Sequence, residues 1–120
     1  MRVTTAVRGA LAAALLLALA SALPAAARAA SLEVKIGNFT FGPQKLTVKV
    51  GDTVTWTNED DIPHTVVANQ KAFKSKVLDT DDKYTFTFTT AGTYDYFCSL
   101  HPHMTGTIVV EPATGGGAAP

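Results

Sequence analysis

Between Leu32 and Glu111 the chain repeatedly alternates apolar and polar residues with a period of two. Val34 and Ile36 alternate with Glu33 and Lys35; Leu46, Val48 and Val50 with Lys45, Thr47 and Lys49; Val54 and Trp56 with Thr53, Thr55 and Thr57. Tyr84, Phe86 and Phe88 interleave with Thr85, Thr87 and Thr89. Successive side chains of a strand point to opposite faces, so each run predicts a short strand with one buried face. A further strand carries Tyr94, Tyr96 and Phe97 and ends at Cys98, and the β-branched run Thr107–Val110, entered at Gly106, closes the domain. Gly42-Pro43, Gly51-Asp52, Asn58–Pro63 and Ala91-Gly92 supply turns between the runs. Ala68–Asp82 is less regular and fits a short helix or an irregular excursion. Several short strands with frequent turns predict an all-β sandwich or barrel.

The first residues follow another plan. Arg2 and Arg8 precede an uninterrupted Ala/Leu run over Ala10–Ala20, then small residues. A bilayer span needs roughly 20 apolar residues, so this shorter run reads as a cleavable signal peptide over 1–29 and not as an anchor. Ala27-Arg28-Ala29 is the first choice of cleavage site, and Ala25-Ala26-Ala27 also fits the small-x-small rule. The mature domain is then 30–111, and the Ala, Thr, Gly and Pro tail over 112–120 is too poor in apolar bulk to pack. Export implies the periplasm, with no stable membrane insertion of the mature chain.

Cleavage changes the charge. Arg2, Arg8 and Arg28 leave with the leader, so seven basic residues face ten acidic ones. Nucleic acid is excluded as a partner, because phosphate binding needs clustered Lys and Arg. About ninety residues make one small domain, and a monomer is expected. Its single cysteine closes no intrachain disulfide, so a thiol in an oxidising compartment needs another role.

That cysteine lies in TYDYFCSLHPHM, Thr93–Met104, where Cys98, His101, His103 and Met104 gather within seven residues. One loop from the end of the Cys98 strand can wrap the thiol, the His101 imidazole and the Met104 thioether around one ion, and Pro102 stiffens it. Thiolate, thioether and imidazole together favour copper. His64, the only histidine outside the loop, follows Pro63 and precedes the β-branched run Thr65-Val66-Val67, which completes a four-donor set of His64, Cys98, His101 and Met104. His103 reads as solvent-facing, and the acidic run Glu59-Asp60-Asp61 as a solvated turn.

Cys-x-x-His-x-x-Met with an upstream Pro-His, together with GDTVTWTN and AGTYDYFC, resembles the cupredoxins, and within them the amicyanin and plastocyanin-like members, over about Leu32–Val110. The resemblance implies a Greek-key β-sandwich with one type 1 (blue) copper ion, Cu(I)/Cu(II), at one end. His64, Cys98 and His101 would be its strong ligands and Met104 its axial one. It also implies single-electron transport between redox proteins such as a c-type cytochrome and a periplasmic dehydrogenase, with the edge of His101 as the port and Gly42, Pro43, Leu100 and Pro102 near its rim. Two positions depart from the pattern. Thr65 stands where many members have an Asn that ties the two ligand segments, and His103 where a bulky apolar residue is usual.

Other chemistries fit less well. A catalytic Cys-His pair lacks an orienting third group, so no enzyme activity is expected. Zinc leaves Met104 without a role. Copper delivery, storage or protection uses the same donors and is the alternative to electron transport.

Overall fold

Val34 and Ile36 lie wholly buried on the first strand, as their alternation requires. The protein is described by a computed structural model over residues 29–113. The predicted leader, apart from Ala29, and residues 114–120 of the predicted tail lie outside the described residues.

Eight strands follow one another: β1 (Ser31–Gly37), β2 (Thr40–Gly42), β3 (Lys45–Lys49), β4 (Thr53–Asn58), β5 (Val67–Ala68), β6 (Lys83–Thr87), β7 (Gly92–Cys98) and β8 (His101–Glu111). They form two four-stranded sheets, ordered β2-β1-β4-β6 and β3-β8-β7-β5. The β1–β4 and β3–β8 pairs are parallel and the rest antiparallel. Parallel neighbours cannot be joined by a tight hairpin, so the chain passes repeatedly from one sheet to the other, and the two sheets close as a sandwich.

The core lies between them. Val34, Ile36, Val54 and Trp56 enter it from one sheet, and Val48, Tyr96, Ile108 and Val110 from the other. Trp56 is ringed by Phe73, Tyr84 and Tyr96, with centroids 5.5, 5.7 and 5.5 Å away, a spacing at which aromatic rings attract. Cys98 shares the inward phase of Tyr96 on β7, and Met104 that of Gly106, Ile108 and Val110 on β8. Thiol and thioether therefore both belong to the end of the core.

Of the two readings of residues 68–82 the irregular excursion holds, and two strand boundaries change. Residues 68–82 contain no helix: the chain returns through the bridges Val67–Lys74 and His64–Leu78, anchored by buried Phe73 and Leu78. Burying a side chain of that size stabilises by about 1.5–3 kcal/mol, which explains how an irregular segment stays ordered. The Phe86–Phe88 alternation continues one residue past the end of β6, and Phe88 is still buried. The last strand begins at His101 rather than Gly106, so the expected Cys98–Met104 loop is a two-residue turn, Ser99-Leu100, followed by strand.

That strand is irregular where it matters. Phe97 pairs with Thr105, yet Cys98 pairs with His101, so Pro102, His103 and Met104 have no residue opposite them on β7. Such a bulge re-aims side chains without ending the sheet. Here Met104 is buried while Pro102 and His103 are exposed.

Candidate metal centre

Asn58, at the end of β4, shapes the approach to the first histidine. Its amide donates to the carbonyls of Ile62 and Leu78, both at 2.9 Å, and its Oδ1 accepts from Asp60 N at 2.9 Å. All its polar atoms are thus engaged, as a completely buried amide requires. His64 follows the turn and is pinned to Leu78 by reciprocal backbone hydrogen bonds of 3.1 and 2.8 Å. Its ring is wholly buried.

Asp60 sets the orientation of that ring. His64 Nε2 lies 2.8 Å from Asp60 Oδ2. A carboxylate accepts, so Nε2 carries the proton and the lone pair of the neutral imidazole sits on Nδ1. Nδ1 faces Cys98 Sγ at 3.8 Å. The Asp60 carboxyl is held below its usual range, first by the backbone N–H of Asn38 and also by His64 and Phe39, against the opposing effect of desolvation. Asp60 is therefore not the solvated charge its sequence context suggested, whereas Glu59 and Asp61 are exposed.

From the other segment, His101 turns its Nδ1 towards the same sulfur at 3.6 Å. The two imidazole centroids are 4.9 Å apart, and one donor atom from each of His64, Cys98 and His101 falls within 4.8 Å of the others. Met104 is buried beside them and lines the same cleft as His101. All four predicted donors thus meet at one end of the sandwich.

Thr65 makes the tie that was in question. Its Oγ1 accepts from Ser99 N at 2.7 Å and lies 2.8 Å from Ser99 Oγ, joining the His64 segment to the β7–β8 turn. Its backbone N–H donates to Cys98 Sγ at 3.3 Å, with the hydroxyl farther off at 3.8 Å. These two groups fix the sulfur's position between the ligand segments. Ser99 and Asp60 are the partners that sequence reasoning missed. Their exposed, polar character in the sequence gave no sign that a ligand segment would fold back on them.

Phe39, Leu100, His101, Pro102, His103 and Met104 line an open cleft at this end. Gly42 and Pro43 do not line it, because β2 carries them away from the turn at Asn38-Phe39. His103 is exposed, as expected.

The donor set fits copper. Two imidazoles and a cysteine sulfur in a buried, pre-tied cluster, with a thioether alongside, suit copper as Cu(I) or Cu(II), whereas zinc would leave the thioether without a role. Sandwich and site together define a type 1 copper centre at one end of a β-sandwich. The chain belongs to the cupredoxin family: the cupredoxin-like domain matches residues 9–110. It is 43% identical over 86 residues to amicyanin from Paracoccus denitrificans, covering 68% of this chain and 66% of that protein. Plastocyanin from Tetradesmus obliquus is 38% identical over 103 residues, covering 75% and 71%. Among solved structures, a purple cupredoxin from Nitrosopumilus maritimus superposes with a TM-score of 0.64 at 32% identity, covering 67% of this chain and 99% of that one. An oxidised amicyanin variant does so with a TM-score of 0.64 at 42% identity, covering 68% and 82%. The matched stretch spans about two thirds of the first amicyanins' own length, 66% and 63%.

Proposed function

We propose that His64 Nδ1, Cys98 Sγ and His101 Nδ1, with the Met104 thioether beside them, would hold one copper ion, and that the protein is an exported single-electron carrier. The observation that carries this reading is the placement of one sulfur between two imidazole Nδ1 atoms, 3.8 and 3.6 Å away. Bound copper supplies a one-electron Cu(II)/Cu(I) couple. The chain's own residues do the rest. Asp60 orients the His64 ring through Nε2, Thr65 N–H donates to the Cys98 sulfur, and the Thr65–Ser99 tie keeps both ligand segments together. Because both segments are held by hydrogen bonds of the protein, little rearrangement accompanies a change of charge, which is what fast electron exchange needs.

Of the two ligand imidazoles, His101 is the one that reaches the surface, within a cleft that includes Phe39, Leu100 and Pro102, and it is the electron port of this reading. The partners are redox proteins such as a c-type cytochrome and a dehydrogenase, met in the periplasm, to which the leader-like segment 1–29 points. Among the described residues no helix is long and apolar enough to cross a membrane. The carrier acts as a monomer and transforms no substrate. Voltammetry combined with repeated ascorbate and ferricyanide cycles tests this. Reversible one-electron waves with full copper retention after gel filtration support a carrier. Metal that passes to an apo-acceptor or a mild chelator within a few cycles points instead to copper delivery.

A further inference from the structure

The turn between β1 and β2 carries a residue that its backbone does not favour. Gly37 pairs with Thr40, leaving Asn38 and Phe39 as a two-residue connection with φ values of 53° and 60°. Two successive positive φ angles make the hairpin turn that most readily takes Asn then Gly, and a bulky side chain at the second position is an outlier. Asn38 fits and Phe39 does not. Nor does burial explain it, since Phe39 is 52% exposed, the most exposed large apolar side chain among the described residues.

Its ring has a specific destination. Phe39 meets His101 edge to face, with centroids 5.0 Å apart at 88°, and His64 at 5.9 Å and 85°. Both fall in the range where aromatic rings attract. Asp60 clamps the turn in place: its Oδ1 accepts from Asn38 N at 2.9 Å, and its Oδ2, which also holds His64, accepts from Phe39 N at 3.4 Å. One carboxylate therefore registers the aromatic ring against a ligand imidazole.

The two imidazoles need this unequally. His64 is buried, bridged to Leu78 and hydrogen-bonded at Nε2. His101 is half-buried, follows a two-residue turn, and has no hydrogen-bond partner at Nε2 among the described residues. Its ring orientation is the weak point of the cluster, and Phe39 is the aromatic side chain outside the donor set that meets it, edge to face.

We infer that Phe39 is a positioning residue for His101, its ring keeping that imidazole turned so that Nδ1 faces Cys98. This rests on the copper reading for its purpose but not for its test. In the metal-free full chain, ring-labelled NMR relaxation compares the native protein with Phe39→Gly and Phe39→Tyr. Gly suits the turn, so folding is not at stake in that variant. His101 should leave its Cys98-facing orientation about two- to tenfold more often in Phe39→Gly, the range of an aromatic contact of this kind, and Tyr should restore native behaviour. In the copper-loaded chain, Phe39→Gly should shift the electron-spin spectrum and Phe39→Tyr should not. Unchanged His101 mobility in Phe39→Gly, or equal changes in both variants, overturns the inference. A chain that binds no copper yet shows the expected mobility pattern supports the role of Phe39 and refutes the copper reading alone.

Discussion

Thr65 shows most directly how a single side chain holds this centre together. Its hydroxyl takes the Ser99 N–H at 2.7 Å, across 34 residues of sequence. Replacing it by Val keeps the volume but strands that part-buried donor, which costs about 1–3 kcal/mol. Thr65→Val should lower the urea stability of the metal-free protein by that amount, and Thr65→Ser, which keeps the oxygen, by less than about half of it; equal losses would contradict the tie. At this scale the sequence was informative about chemistry and poor about support. Cys98, His101, Met104 and His64 were identifiable because soft donors are rare in the chain and closely spaced. Asp60, Ser99 and Phe39 were not. Their roles depend on which turn folds against which, and nothing in their type or spacing announces it.

Among the elements, β7 and β8 do most to position the site, and their register explains a glycine. Gly106 pairs with Tyr96, and a Cβ there would overlap the tyrosine ring at Cζ and Oη. Backbone and ring are therefore in contact, and Tyr96 cannot move aside because Phe41 and Trp56 pack against it, with centroids 4.6 and 5.5 Å away. Gly106→Ala should cost about 1–3 kcal/mol, read as a shift in denaturation midpoint. Because Cys98 is two residues from Tyr96 on the same face, the substitution should also perturb the copper spectrum; a neutral effect on both would contradict the packing. Alternation revealed β1, β3, β4 and β6, since a half-buried strand must show its two faces in sequence, and missed β2 and β5, which are too short to show a period. It failed at β8, where the bulge at Pro102–Met104 breaks the period, and in residues 68–82, where Phe73 and Leu78 anchor the chain at separate points without a repeat.

For the molecule as a whole, the sandwich and its metal site are one structure, because the inner residues of both sheets run directly into the ligands. This gives folding a defined alkaline limit. Burial pushes the Tyr96 phenol from 10.0 up to about 12, outweighing the opposing effect of the Trp56 indole N–H, which lies outside good hydrogen-bond geometry to the tyrosine Oη. A raised folded value means the protonated form is favoured in the native state. Its contribution is complete below pH 10 and is lost as pH rises from 10 through about 12, a loss of about 3 kcal/mol. Tyr96→Phe should flatten that part of the stability profile, and an identical slope in both proteins would contradict the assignment. Fold class was readable from period and turn spacing, and the family from the ligand pattern. The crossovers between sheets were not, since strand order is set by long-range pairing that no local pattern encodes. The convergence of His64 with Cys98, 34 residues away, is the claim on which everything functional depends. Optical and electron-spin spectra of the chain with one equivalent of Cu(II) test it most directly. The predicted result is an intense blue or green thiolate-to-copper band with a narrow hyperfine pattern, abolished in Cys98→Ser and bleached by ascorbate; a colourless complex with ordinary cupric spectra would contradict it.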